Sequence, residues 1–179
     1  KRPTAVKLMK PARMTEQSMP AGDYDNPLLT ARQALRDNQR NLAHWKLAAA
    51  AAKAKDSPDA IYYQQNVARL DGSLDSRLEL IRLALRYGDY RDALAAIEAA
   101  DAEATRSPEF HELAARAYLG VGRHVPAKMH LYSLVSLQGE NQTARLDLAE
   151  TELAEDADGK KPQLRDDIRK LAELPELRT

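Results

Sequence analysis

Four histidines, several adjacent acids and a scattering of serines are the side chains from which a catalytic or metal site could be built in this 179-residue chain. There is no Cys, which removes thiol nucleophiles, thiolate metal ligands and disulfides together. His124 and His130 stand six residues apart in one predicted helix. Helical residues share a face at spacings of about three or four, so these two point to different faces. His44 and His111 fall in different helices, and all four fit ordinary surface or packing histidines better than metal ligands. Asp166-Asp167 and Glu155-Asp156 are sequence neighbours, which diverge by about 100° around a helix, so each pair reads as a solvated face and not as an acid–base dyad. No Gly-rich phosphate loop is present, and no Ser stands in a nucleophile-elbow context. No nucleophile, base and orienting group can be tied together. The expectation is a non-enzyme with no cofactor and no metal.

The elements that would position any site are helical. Aromatic residues are 5% and Gly only 7, while Ala, Leu, Arg and Glu dominate, a helical composition. Apolar residues in steps of three and four predict helices over 28–38, 42–54, 59–70, 74–87, 90–104, 108–120, 124–137 and 143–153. A last helix opens at Pro162, after a charged loop from Asp156 to Lys161. Asp56-Ser57-Pro58-Asp59, Asp71-Gly72 and Ser107-Pro108 supply turns and caps between them. No stretch alternates as a strand would, so the chain reads as all-α. Lys+Arg and Asp+Glu number 27 each, leaving no global field to draw nucleic acid or an anionic membrane. No apolar run approaches the roughly 18 residues of a membrane span. Direct membrane insertion of this segment is therefore not expected.

A period organises these helices. Gly22-Asp23-Tyr24 and Gly88-Asp89-Tyr90 are the same tripeptide, separated by two periods of about 34 residues. Gly122-Arg123-His124 follows one period after the second. Asp56-Ser57-Pro58 occupies the slot one period after the first, between the two tripeptides. Pro27, Ala93 and Ala127 stand five residues after the glycines, and Ala34, Ala100 and Leu134 twelve after. Small residues at fixed offsets let paired helices approach closely. The Gly ends one helix in a left-handed conformation, and the adjacent Asp can cap the next. A repeat of about 34 residues cannot bury its own apolar face and becomes stable by stacking, which predicts a solenoid.

These residues resemble the tetratricopeptide repeat (TPR) family. Gly88-Asp89-Tyr90-Arg91-Asp92-Ala93 is similar to the family's mid-repeat turn. Trp45 occupies its aromatic position near a repeat start, and Ala114, Ala115 and Tyr118 match its small-small-aromatic pattern. The resemblance covers about residues 8–154, as four repeats and the first helix of a fifth. It departs where Gln39, Gly72 and Gly139 replace the closing Pro, and where Pro11, Pro20 and Pro27 crowd the first repeat. The family implies an α-solenoid of stacked antiparallel helix pairs wound as a right-handed superhelix. Here that gives a repeat domain over residues 11–179 behind a basic linker, residues 1–10.

The family also implies a concave groove lined by the first helix of each repeat. Its lining positions hold Lys46 and Lys53, then Leu78, Arg82, Leu85 and Arg86, then Glu109, Glu112, Arg116 and Leu119, then Leu146 and Glu150. The middle of such a groove is basic and partly apolar, and its C-terminal end is acidic. Lys46 matches the first position of a family clamp for terminal carboxylates, but Ala50, Glu79 and Glu109 occupy later ones, so that function is not implied. The expected role is a protein–protein interaction scaffold that captures an acidic amphipathic segment. The alternative is a structural spacer or assembly subunit with no dedicated groove. The chain begins at Lys1 and stops just after Leu171-Ala172-Glu173-Leu174-Pro175-Glu176, which is expected of a piece of a longer bacterial multi-repeat protein. Multi-repeat proteins of this kind are common in bacterial cell envelopes, which slightly favours an anchored extracytoplasmic site, but the resemblance itself does not separate that from the cytoplasm, and it leaves the oligomeric state open.

Overall fold

The computed structural model describes Met19 and residues 22–156 and 162–173. The basic linker 1–10, nearly all of the Pro11–Pro20 stretch of the first repeat, most of the charged loop before Pro162 and the final residues lie outside them. Two compact units make up the chain, residues 1–87 and 88–179. Every regular element among the described residues is helical. No helix among them is long and apolar enough to cross a membrane.

The N-terminal unit contains α1 (Asp25–Asp37), α2 (Leu42–Ala54), α3 (Asp59–Asp71) and α4 (Leu74–Arg86), each packed on the next in sequence. Alanines let α2 and α3 approach closely: Ala48, Ala51, Ala52 and Ala60 are fully buried with Leu47, and Ile81 of α4 joins them. Pro27 sits in the first turn of α1, where its missing N–H breaks no helical hydrogen bond. Asn41 and Ser73 cap α2 and α4, accepting from the backbone N–H groups of His44 and Ser76.

The C-terminal unit contains α5 (Tyr90–Glu98), a 3₁₀ turn (Ala104–Arg106), α6 (Pro108–Gly120), α7 (His124–Leu137), α8 (Gln142–Glu155) and α9 (Pro162–Ala172). Phe110, Ala114, Ala117, Ala127, Leu131 and Leu134 form the α6–α7 core. Ser107 caps α6 and Asn141 caps α8. The expected helix over 90–104 ends at Glu98 instead. Asp101 is the reason: its Oδ1 accepts from the N–H groups of Glu103 and Ala104 at 3.1 and 3.2 Å, which starts a local turn in place of further helix.

The repeat register is visible directly in the backbone. Gly22, Gly88 and Gly122 have φ of 86°, 72° and 71°, and Asp56, in the matching slot, has φ 52°. Gly22 stands in the turn before α1, and the other three stand in turns between consecutive helices. Asp89 caps α5 by accepting from Asp92 N–H at 3.1 Å, the role its place after Gly88 predicts.

Candidate functional site

In the N-terminal unit the first-helix positions of α2 and α4 flank a shallow cavity of about 250 Å³ over α3. Gln64 closes its floor, donating from Nε2 to the Ser76 carbonyl at 2.9 Å. Lys53 reaches across from α2 to Glu79 on α4, and Arg82 donates to the other carboxylate oxygen of Glu79 at 2.8 Å. Lys46 lies 3.5 Å from Asp71, and Arg86 lies 2.8 Å from Asp56. Serine hydroxyls from Ser76 and Ser73, then Lys46, hold the Asp71 carboxyl below the usual range. Every basic side chain expected on this stretch thus has an acidic neighbour, and the wall carries mixed charge. Leu85 is half-buried and Arg86 exposed. Leu78 is not available in that way: it is 3% exposed and packs in the core behind the wall.

In the C-terminal unit α6 and α8 flank a larger cavity of about 410 Å³ over α7. Leu119, half-buried, and the inner residues Leu131 and Leu134 give it an apolar floor, while Glu112 and Arg116 are exposed on its rim. Asp147 completes the rim from α8. Burial, then Glu150 and Glu112, push its carboxyl above the usual carboxylate range, and Arg116 pulls the other way. The sequence positions named for this helix were Leu146 and Glu150, and Asp147 was missed. Its signal was an acid set between Leu146 and Leu148 in an otherwise amphipathic helix.

Of the residues expected on the N-terminal stretch, Lys46 and Lys53 line the cavity and Arg82 reaches its Glu79, while Leu85 and Arg86 are not among the lining residues. Glu112, Arg116 and Leu119 come together in the C-terminal unit. His111 and His130, which no sequence spacing linked, meet between α6 and α7 with their Nδ1 atoms 3.0 Å apart. No cluster of three or more His or acidic side chains able to hold a metal occurs among the described residues.

No family model matches this sequence, and no curated protein matches it. Solved structures do. A crystal structure of MamA protein superposes with a TM-score of 0.67 at 18% identity, covering 85% of this chain and 82% of that one. MamA from residue 41 to its end, from Desulfovibrio magneticus RS-1, gives 0.65 at 17% identity, with 88% of each chain covered. A likeness at this identity speaks to architecture, and the architecture is an all-α, TPR-like helical repeat.

Proposed function

We propose that the chain is a non-catalytic interaction scaffold, a repeat domain over residues 11–179 that holds a segment of a protein partner against its first helices. The observation that carries this is the α6–α8 cavity. It combines an apolar floor around Leu119 with a rim on which Glu112, Arg116 and Asp147 offer both signs of charge. A preformed pocket of this kind can take an inserted side chain at little ordering cost, because rigid helices already hold its walls. Asp147 supports the same reading, since its raised carboxyl gains by meeting a donor from outside.

The spacer alternative draws support from the N-terminal unit. There Lys53 and Arg82 share Glu79, Lys46 faces Asp71 and Arg86 faces Asp56. Exposed pairs of this kind contribute about 0–1 kcal/mol and give a wall with little net field. Site-specific photocrosslinking in cells separates the two. A photoreactive residue at Leu119 should yield a discrete protein adduct, and one at exposed Arg169 on α9 should not. Equal or absent adducts at both positions would favour the spacer.

A further inference from the structure

A second cavity, of about 370 Å³, opens on a different face of the N-terminal unit, between α1, α3 and the start of α2. On α3 the residues at the groove are Gln64 and Val67, while this cavity is lined by Tyr62, Asn66 and Arg69, spaced four and three apart on another side of the same helix. Its floor is apolar and aromatic: Leu35, Trp45 and Tyr63 are each at most 7% exposed. Tyr62 stands at the edge, 56% exposed, with its ring 5.8 Å from Trp45 in edge-to-face geometry. The Trp45 indole N–H donates to the Gln39 carbonyl at 2.7 Å, so the ring is fixed and that donor is already used.

Three guanidinium groups surround this floor, and no acid among the described residues lines it. Arg32 is the one already engaged. It donates to the Tyr63 hydroxyl at 2.5 Å and to Asp59 at 3.1 Å. Arg69 is steadied by a neutral acceptor, Asn66 Oδ1 at 3.1 Å, and Arg36 pairs with no acid among the described residues. Both are exposed. In a chain with no net charge this is a local excess of positive charge over an aromatic floor, whereas the groove wall on the same unit balances its charges.

We propose that this cavity is a docking site for an acidic segment of a protein partner, with one aromatic side chain on the Leu35–Trp45–Tyr63 floor and flanking carboxylates on Arg36 and Arg69. This rests on the reading of the chain as an interaction scaffold and places an acidic partner at a site separate from the groove. Guanidinium forks match carboxylates in paired hydrogen bonds. The aromatic floor supplies area, and the arginines steer and orient. Single-stranded nucleic acid would also stack on aromatic rings, but its affinity grows with the number of cations tracking the backbone, and only three stand here.

Trp45 is the only tryptophan, so its emission reports on this site alone. The probe is an acetylated synthetic peptide with a central phenylalanine and two glutamates on each side. A lysine counterpart and oligothymidylate serve as comparisons. The acidic peptide should change Trp45 emission saturably, with affinity falling as salt rises. R36E with R69E should weaken it by about tenfold or more, the loss expected when charged hydrogen bonds are removed. R36Q with R69Q gives the same test should the reversal unfold the protein. R82E with R86E, on the groove wall, should leave it unchanged. The proposal is overturned by no saturable change, an equal response to the lysine peptide, tighter binding of oligothymidylate, or binding that survives loss of Arg36 and Arg69. Adducts at Leu119 with no peptide response would remove this site and keep the groove. A peptide response without those adducts would do the reverse.

Discussion

The ring of Tyr90, at the start of α5, lies directly against Gly120, the last residue of α6. A Cβ added at Gly120 would stand 2.6 Å from Tyr90 Cζ and closer still to Cε1. Gly120 is needed here for its size and not for its backbone, because its φ is not positive. The tyrosine of the Gly88-Asp89-Tyr90 motif thus has a structural role: it fills the space that a missing side chain leaves. G120A should destabilise the chain by about 1 kcal/mol at most, because the half-buried Tyr90 ring must turn aside, a cost that outweighs the better helix propensity of Ala. The combination G120A with Y90A should recover part of that loss in urea unfolding. A single variant more stable than the parent would contradict the packing account.

Asp56 takes the left-handed place that Gly holds at 22, 88 and 122. Its carboxylate accepts from the Tyr87 hydroxyl at 2.9 Å and faces Arg86 at 2.8 Å, both at the surface. Ala tolerates positive φ poorly, so D56A should cost about 1–2 kcal/mol. D56G should lie within about 0.5 kcal/mol of the parent, since relief of backbone strain offsets the lost exposed pair. Thermal unfolding that ranked Ala at or above Gly would show that the turn does not require this conformation.

The histidine pair makes the C-terminal unit acid-sensitive. His111 Nε2 lies 3.0 Å from the Thr105 carbonyl, which can only accept, so Nε2 carries the proton. A neutral His111 then accepts at Nδ1 from His130 Nδ1–H. His130 stacks on Tyr118, which Arg123 covers from 5.2 Å. Burial first, then His111, push the His130 pKa down to about 4, against about 6.5 in an unfolded chain. Between those values the unfolded chain binds the extra proton, so this contribution to stability is whole above about pH 6.5 and is lost as pH falls toward 4. Asp147, with its raised carboxyl, works in the opposite direction. The comparison is therefore between the parent and H130F at each pH. The melting temperature of the parent should fall more steeply than that of the variant from pH 6.5 to 4.5. Parallel profiles would show that His130 takes up its proton as readily in the folded protein as in the unfolded chain, and would contradict the buried pair.

The helices, the register of Gly22, Asp56, Gly88 and Gly122, and the caps Asp89 and Ser107 could be read from sequence because they depend on local residue patterns, whereas the caps Asn41, Ser73 and Asn141 were not singled out. Ala93 and Ala127, placed by the same offsets, are fully buried. The end of α5 was misplaced because an Ala-rich pattern continues past Glu98, while Asp101 competes for the backbone locally. Charge on the groove wall was misjudged for a different reason. The acids that pair with Lys46, Lys53 and Arg86 come from neighbouring helices and turns, beyond the reach of any same-helix spacing rule. The His111–His130 pair escaped notice in the same way, and so did the arginines around Trp45, which come from α1 and α3 to meet over a residue of α2.

Hydrogen exchange measured by mass spectrometry on the protein with and without its crosslinked partner tests the scaffold claim most directly. Capture in the groove predicts slowed exchange in α6 and α8 around Leu119 and Asp147, with α9 unchanged. Exchange unaltered throughout would contradict a binding role and leave a spacer. Slowing confined to α1 and α3 would move capture from the groove to the cavity at Trp45.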